Sequence, residues 1–309
     1  MKPLFVVNPK SGGGATERAW GSMKTTIERA LGPIDVEMTT HSGHGTELAR
    51  EGVKAGHELV VAVGGDGTFH EVVNGVMQAK DAGKNGARVG LIGQGTGGDF
   101  RKTLGIEHRL DKYVDALASG KERPLDVGRF TGGGKDSHYF VNILSAGMGG
   151  LVDRYVADAP KVLGGKAAYF GASLKALVAA RAGNLKCKVT LDGKTEERSI
   201  RTLMIAICNG RFFGGGMKVA PRAELDDGAF DVVALGPTSK LGFALTSSAI
   251  YSGDHIGRHG TVDFRASKIE IDLANDDARE VFLLDVDGEP MGGLPLSIEA
   301  IPRALTLRA

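Results

Sequence analysis

One short passage establishes the fold class: Leu59-Val60-Val61-Ala62-Val63-Gly64-Gly65-Asp66-Gly67-Thr68, followed by apolar residues at helical spacing up to Met77. Its first five residues are apolar and rich in valine, which is typical of a buried strand in a parallel sheet. The passage therefore predicts a strand, a tight turn rich in glycine and then a helix, which is the repeating unit of an α/β fold.

The turn at Gly64–Thr68 is chemically suited to a phosphate group. The start of a helix offers unpaired backbone N–H groups and the positive end of the helix dipole, and glycine lets the backbone approach a ligand closely. The carboxylate of Asp66 would repel a bare phosphate, but Mg²⁺ bound to phosphate is usually held by one or two carboxylates. The turn therefore predicts a nucleoside triphosphate site with Mg²⁺. The alternative is that Asp66 only caps the helix.

The same alternation extends on both sides of this passage. Strand patterns at Leu4–Val7, Val36–Thr39 and Val89–Ile92 alternate with helical patterns over residues 1 to about 120, which predicts a parallel sheet with helices on both faces. Ligands bind at the carboxyl ends of such strands. Three glycine-rich loops follow strands there, at 8–14, 64–68 and 93–99.

The pattern changes after Asp126, where strand-like runs dominate. We expect an α/β domain at 1–125 and a mostly antiparallel β domain at 126–293, with a last strand-like segment at 294–309. Two helices are predicted in the second domain, at Lys166–Ala182 and Lys240–Tyr251. The predicted strands are Tyr139–Leu144, Lys188–Leu191, Thr202–Cys208, Phe230–Leu235, Lys268–Ile271 and Val281–Leu284.

Composition narrows the function classes. Lys and Arg total 38 against 37 for Asp and Glu, so a nucleic-acid partner, which needs a basic surface, is not expected. No apolar stretch reaches the ~18 residues of a membrane-spanning helix, and no signal peptide is recognised. We expect a cytoplasmic protein with at most peripheral membrane contact. Cys187 and Cys208 are expected to be small buried side chains rather than a disulfide or a metal pair.

The loop at 93–99 contains Gly93-x-Gly95-x-x-Gly98, which is the spacing of the dinucleotide-binding fingerprint. A dehydrogenase carries this fingerprint in its first strand–helix unit, with an acidic residue at the end of the next strand ~20 residues on. Here the nearby acidic residues, Asp111 and Asp115, lie in a helical pattern. The match is therefore interpreted as coincidental.

Six motifs occur in order along nearly the whole chain. They are Asn8-Pro9-Lys10-Ser11-Gly12, then Gly64–Thr68 with Glu71-Val72-Val73-Asn74-Gly75, then Gly95-Thr96-x-x-Asp99-Phe100, then Gly214-Gly215-Gly216-Met217-x-Val219-Ala220-Pro221, then Leu225-Asp226-Asp227-Gly228, and last Asp285-Val286-Asp287-Gly288-Glu289-Pro290. Together they resemble the diacylglycerol-kinase catalytic-domain family, which includes soluble bacterial lipid kinases and sphingoid-base kinases.

The resemblance implies a lipid kinase with two domains. The first would be a nucleotide-binding α/β fold similar to that of NAD kinases and phosphofructokinases. The second would be a β-sandwich that carries the lipid, with 294–309 returning to the first domain. The implied reaction transfers a phosphoryl group from ATP, with Mg²⁺, to a hydroxyl group of diacylglycerol or a similar lipid alcohol. Peripheral membrane contact and a homodimer are compatible with this expectation.

The resemblance also implies roles for individual residues. Asp66 would face Mg²⁺, and Asp287 would be the general base, with Asp285 its rival by spacing alone. Asp227, helped by the backbone carbonyls of Glu224 and Ala229, would hold a second, structural Mg²⁺. The nucleotide would be contacted by Asn8, Thr39, Gly64, Gly65, Asp66, Gly67, Thr68, Gly95, Thr96, Asp99 and Glu289.

Two further functions stay open at this point, and one position departs from the family. An NAD kinase shares the loop at Gly64–Thr68, and a catalytically weak nucleotide- or lipid-binding protein would keep the same folds. The departure is Gly98, which stands where the family usually has Asn.

Overall fold

The computed structural model describes residues 2–95, 97–158, 165–236, 248–258, 260–274 and 276–309. The chain folds into two compact units. The first consists of Met1–Val127 together with Pro302–Ala309, and the second consists of Gly128–Ile301. None of the helices in the described ranges is long and apolar enough to cross a membrane.

The first unit is built on a parallel sheet. Its strands are β1 (Leu4–Val7), β2 (Asp35–Met38), β3 (Leu59–Gly64) and β4 (Arg88–Gly93). They lie in the order β2-β1-β3-β4, and every neighbouring pair is parallel. All residues of β1 and β3 are buried, as expected for strands covered on both faces. The predicted α/β architecture is confirmed for this part of the chain.

Five helices accompany these strands: α1 (Ser11–Leu31), α2 (His44–Lys54), α3 (Asp66–Asp81), α4 (Asp99–Leu104) and α5 (Leu110–Ser119). The first turn of α1 is irregular, because three consecutive glycines at 12–14 have positive φ. One apolar cluster joins β1, β3, α1 and α5, and it includes Phe5, Ile27, Val61 and Leu117.

The packing of α2 against α3 depends on a glycine. A carbon atom added at Gly75 would lie 2.7 Å from Ala49 Cβ and 2.9 Å from the backbone nitrogen of Arg50. Side-chain carbons do not approach other atoms so closely, so the two helices can reach this spacing only with glycine at position 75. Gly75 therefore serves packing within the motif that begins at Glu71.

The second unit contains two sheets. Six strands form the first in the order β12-β11-β10-β7-β14-β15, and β9-β8-β13-β16 form the second together with β5 and β6. The strands are β5 (Glu122–Gly132), β6 (Lys135–Phe140), β7 (Ile143–Gly147), β8 (Gly183–Leu191), β9 (Lys194–Thr202), β10 (Met204–Cys208), β11 (Phe230–Leu235), β12 (Val262–Ala266), β13 (Lys268–Leu273), β14 (Leu283–Val286), β15 (Glu289–Gly293) and β16 (Leu296–Arg308).

One core cluster draws side chains from both sheets of the second unit, including Phe140, Phe230, Phe282 and Ile298. Strands within each sheet pair antiparallel along β10–β11, β8–β13 and β7–β14. This arrangement confirms the predicted antiparallel β-sandwich. Helices α6 (Met148–Ala157) and α7 (Gly165–Ala179) and a 3-10 helix at Asp276–Val281 also belong to this unit.

The last strand belongs to both units. The beginning of β16 pairs antiparallel with β13, whereas Thr306 and Leu307 near its end pair in parallel with β4. The division between the units falls within the strand, at residue 302. The two cysteines are buried and unpaired, and burial raises the pKa of the Cys187 thiol to about 11, as expected for small core side chains.

The structure corrects the predicted strand Tyr139–Leu144, which is divided into β6 and β7. Val141 and Asn142 lie between these strands, and their backbone N–H groups donate to the carboxylate of Asp287. An N–H group committed to a side chain cannot join a β-ladder, so the strand is interrupted there.

One further predicted strand is wrong, and one predicted helix falls mostly outside the described residues. The run Thr202–Cys208 is not one strand, because Thr202 ends β9 in one sheet and Met204 begins β10 in the other. The predicted helix Lys240–Tyr251 falls mostly outside the described residues, of which 248–252 are helical.

We expect Gly75→Ala to lower the free energy of unfolding by about 1–3 kcal/mol, because the added methyl group must force α2 and α3 apart. Gly21→Ala is the matched control: Gly21 lies exposed in α1 with no atom near an added carbon. Alanine there should stabilise by up to about 1 kcal/mol through helix propensity. Urea unfolding of both variants measures the difference, and equal effects would contradict the packing argument.

Candidate functional site

The strand order of the first unit marks a crevice between β1 and β3. The chain winds outward to β2 after β1 and in the opposite direction to β4 after β3, and ligands bind at such a reversal, beyond the carboxyl ends of the strands. Two contacts join the loops at this point. Asn8 Nδ2 donates to Thr68 Oγ1 at 3.2 Å, and the backbone N–H of Asn8 donates to the Val63 carbonyl at 2.9 Å.

The glycines of the loops after β3 and β4 permit a close backbone approach. A carbon atom added at Gly95 would lie 2.6 Å from the Cα of Gly65, and one at Gly64 would overlap the side chain of Thr68. The backbone N–H of Gln94 donates to the Gly64 carbonyl at 2.7 Å. The two loops therefore lie against each other, and larger residues would separate them.

Asp66 connects these loops through its side chain. It is the first residue of α3, and its Oδ2 accepts a hydrogen bond from the backbone N–H of Asp99 at 3.0 Å. Its Oδ1 accepts one from the backbone N–H of Phe100 at 3.3 Å. Both donors belong to the following helix, so Asp66 does more than cap its own helix.

A second carboxylate lies beside Asp66. A carbon atom added at Gly97 would be 3.4 Å from Asp66 Oδ2 and 3.9 Å from Asp99 Oδ2. Asp99 is buried, and its Oδ1 pairs with Lys102 Nζ at 2.7 Å. The carboxylates of Asp66 and Asp99 therefore lie on either side of the space beside Gly97, in a glycine-rich loop suited to phosphate. Proteins usually hold Mg²⁺ with one or two carboxylates together with phosphate oxygens.

Two other nucleotide contacts were predicted in segments that follow strands in the sequence. Thr39 follows β2, is buried, and its backbone N–H donates to the Val7 carbonyl at 2.8 Å. Thr96 lies outside the described residues, so the structure adds nothing about its side chain.

The sequence analysis missed the role of Glu71. Its Oε1 and Oε2 accept hydrogen bonds from the backbone N–H groups of Gly43 at 2.6 Å and Gly45 at 2.8 Å. Glu71 thus caps the start of α2 from the neighbouring helix, where a negative charge is stabilising. A carbon added at Gly45 would collide with its carboxylate. The signal in the sequence was two glycines at the start of a helix and a motif glutamate 26 residues after the second of them, Gly45.

A buried tyrosine beneath the loops was also missed. The hydroxyl of Tyr113 lies 3.1 Å from His108 Nδ1, and a side chain on Gly93 would overlap it. Burial raises the pKa of Tyr113 to about 12, with the positive charge of Arg101 opposing the shift and the negative charge of Asp66 adding to it. Tyr113 is therefore neutral at physiological pH and packs below the end of β4.

In the second unit, Asp287 is held by three backbone groups. Its Oδ1 accepts from the N–H groups of Asn142 at 2.9 Å and Ile143 at 3.0 Å, and its Oδ2 accepts from Val141 at 2.9 Å. Asp287 is buried and adopts a left-handed conformation with φ +53°. Since a carboxylate has about four acceptor positions, most of them are occupied, and its orientation is fixed.

The neighbours of Asp287 lie on the two strands of a hairpin. Asp287 lies in the turn between β14 and β15, so Asp285 and Glu289 do not project as alternate residues of one strand. Asp285 is buried and accepts a hydrogen bond from the backbone N–H of Gly288 at 2.8 Å. Glu289 is partly exposed and pairs with Val286 across the hairpin.

Asp227, which was predicted to hold a second Mg²⁺, makes two contacts within the chain. Its Oδ1 accepts from the Ala229 backbone N–H at 3.1 Å, and its Oδ2 forms an ion pair with Arg265. Nearby, burial raises the pKa of Asp231, and the positive charge of Arg265 opposes this shift. The described residues contain no group of three or more His, Cys, Asp or Glu side chains arranged for a metal ion. The guanidinium of Arg265 thus lies beside the carboxylate that was expected to hold a cation together with the backbone carbonyls of Glu224 and Ala229.

Comparison with known proteins identifies the family of the chain. Residues 2–130 match the family described as "Diacylglycerol kinase catalytic domain", and residues 142–309 match "YegS C-terminal NAD kinase beta sandwich-like domain". "Diacylglycerol kinase" of Bacillus subtilis is 30% identical over 94% of this chain and 90% of its own length. "Probable lipid kinase YegS-like" of Yersinia enterocolitica is 27% identical over 99% of this chain and 96% of its own length.

A solved structure shows the same fold. It is a crystal structure of a diacylglycerol kinase from Bacillus anthracis, with a TM-score of 0.72 and 21% identity, covering 99% of this chain and 96% of that one. The chain therefore belongs to the diacylglycerol kinase and YegS-like lipid kinase family, and it is a kinase.

We expect the melting temperature, measured without nucleotide, to be the same in millimolar Mg²⁺ and in excess chelator. The reason is that Asp227 already has Arg265 as its cation, so no bound metal stabilises the folded state by linkage. Differential scanning calorimetry makes the comparison, with Asp227→Asn as the control. A Mg²⁺-dependent rise of several degrees that disappears in Asp227→Asn would establish the second metal site after all.

Proposed function

We propose that this kinase uses ATP and Mg²⁺ to phosphorylate a hydroxyl group of diacylglycerol or a similar lipid alcohol. The observation that carries the proposal is the position of Asp66. Its carboxylate bridges two glycine-rich loops at the reversal of the strand order and lies beside Asp99. Family membership supports a lipid as the acceptor.

The nucleotide is assigned to the edge formed by the loops after β1, β3 and β4. The backbone at Gly64, Gly65, Gly67 and Gly95 approaches the phosphates, because no side chain stands in the way. Asn8 and Thr68, which are hydrogen-bonded to each other, contribute polar groups between the loops. Thr39, Thr96 and Glu289 stay proposals as nucleotide contacts.

Asp66 and Asp99 are proposed to hold Mg²⁺ at the phosphates. When bound, the ion neutralises the charge that develops on the transferred phosphoryl group. The hydrogen bonds from Asp99 and Phe100 keep the Asp66 carboxylate in a fixed orientation, so little reorganisation is needed during the reaction.

Asp287 is proposed to accept the proton of the lipid hydroxyl. As that O–H bond breaks, the lipid oxygen bonds to the γ-phosphorus, and the bond from that phosphorus to the oxygen of ADP breaks. Three backbone N–H groups donate to this carboxylate and hold it in one orientation. A proton acceptor held in place beside the reacting hydroxyl supplies general-base assistance to the phosphoryl transfer.

A direct assay tests the function as a whole. Radiolabelled ATP is supplied with mixed micelles of diacylglycerol, a sphingoid base or another lipid alcohol, and in a parallel reaction with NAD. We expect a labelled phospholipid and no labelled NADP, whereas labelling of NAD alone would favour the NAD kinase alternative. Tight ATP binding without turnover on any lipid would favour the weak binding protein. Peripheral membrane contact and a homodimer stay proposals beside this one.

Asp66→Asn should lower turnover by at least about a hundredfold at saturating substrates, because the amide cannot bind Mg²⁺ as a carboxylate does. The amide would also face a backbone N–H donor, so we expect a loss of about 1–3 kcal/mol of stability. Activity is therefore measured across a Mg²⁺ titration, well below the melting temperature. Asp115→Asn, an exposed change on α5, is the control. Turnover near that of the unaltered protein at limiting Mg²⁺ would refute the metal role.

Asp287→Asn should lower kcat by roughly two decades or more with little change in the KM for ATP, because the lost proton acceptor acts in the transition state. Asp285→Asn is the matched control in the same hairpin, since it too removes a buried carboxylate that accepts a backbone N–H. Each kcat is compared with the melting temperature of its variant. If Asp285→Asn is the more damaging change at equal stability, the base is assigned wrongly.

A further inference from the structure

The loop before α4 contains Gly98, and the side chain of Arg101 occupies the space beside this glycine. Gly98 has φ +57° and ψ +45°, a left-handed conformation that L side chains rarely adopt. A carbon atom added there would lie 2.8 Å from Nε and 3.4 Å from Cδ of Arg101. The side chain of Arg101 therefore lies across the space into which a side chain at position 98 would project.

One nitrogen of the Arg101 guanidinium has a hydrogen-bond acceptor among the described residues, and another has none. Its Nη1 donates to the Ile106 carbonyl at 3.2 Å, and the Ile106 backbone N–H donates to the Arg101 carbonyl at 3.1 Å. Its Nε is buried and has no hydrogen-bond partner in the described part of the chain. Burying a charged donor without an acceptor is unfavourable, so this nitrogen is suited to receive an oxygen from a ligand.

The surroundings of Arg101 connect it with the proposed phosphate edge. The residues just before it, Asp99 and Phe100, donate their backbone N–H groups to Asp66. The next cation along α4, Lys102, is already paired with Asp99.

We propose that Arg101 is a phosphate-binding residue and that it can bind phosphate only because position 98 is a glycine. The Nε–H of Arg101 donates to an oxygen of the phosphate chain of the nucleotide, and any side chain at position 98 would displace the guanidinium. The proposal rests on the function proposed above. A charged donor and an anionic oxygen form a strong hydrogen bond, and the guanidinium is well matched to phosphate oxygens.

The first experiment measures the dissociation constants of ATP and ADP by isothermal titration calorimetry in the presence of Mg²⁺. Arg101→Met, which keeps the length of the side chain without its charge, should weaken binding about tenfold or more, because it removes a hydrogen bond between charged groups. Arg101→Lys should lose less, since it keeps the charge without the Nε donor. The melting temperature of each variant is recorded beside its affinity.

The second experiment tests the dependence on Gly98. Gly98→Ala should weaken nucleotide binding as Arg101→Met does, and the double variant should bind no worse than Arg101→Met alone, because both changes act through one guanidinium. Gly105→Ala is the matched control. Gly105 is also left-handed, with φ +73°, but an added carbon there meets no atom, so stability should fall while nucleotide affinity stays unchanged.

Several outcomes would overturn the inference. Unchanged affinity in Arg101→Met, with lower stability only, would show that Arg101 is structural. Additive losses in the double variant would show that Gly98 acts independently of Arg101. In both cases the unaltered protein still binds ATP, so the proposed function survives. If the unaltered protein does not bind ATP at all, the proposed function itself fails.

Discussion

The ligand edge of the first unit depends on the carboxylate of Asp66. By accepting the backbone N–H groups of Asp99 and Phe100, it ties the end of one strand–helix unit to the start of the next. A charged acceptor makes such bonds stronger than neutral pairs do. The position of Asp99, the left-handed turn at Gly98 and the approach of Gly95 to Gly65 all belong to the loop that this carboxylate holds.

Carboxylates accept backbone N–H groups in the same way at two further places. Glu71 accepts two N–H groups at the start of α2, and Asp287 accepts three in the second unit. Backbone N–H groups without a partner in their own helix or sheet, such as those of the first turn of a helix, need acceptors, and these motif carboxylates supply them. Each residue therefore carries a structural function in addition to any chemical one, which is why loss of activity in a variant must be separated from loss of stability.

The two aspartates assigned to metal by resemblance have different surroundings. Asp66 lies beside a second carboxylate and at the reversal of strand order, where phosphate oxygens could complete the coordination of Mg²⁺. Asp227 has a guanidinium on one oxygen and a backbone N–H on the other. Arginine is always charged and pairs with carboxylates in a fixed geometry, so the turn at Asp227 meets its need for a positive charge within the chain.

The sequence by itself determined the strand–turn–helix units, the parallel sheet, the antiparallel second half and the kinase family, because these follow from periodicity, turn residues and ordered motifs along the chain. Tertiary structure alone decided the division of Tyr139–Leu144, the caps supplied by Glu71, the ion pair of Asp227 and the place of Arg101. Asp287 and Val141 are 146 residues apart. Local patterns record which face of a strand or helix is apolar, but a hydrogen bond between distant residues depends on where the folded chain brings them.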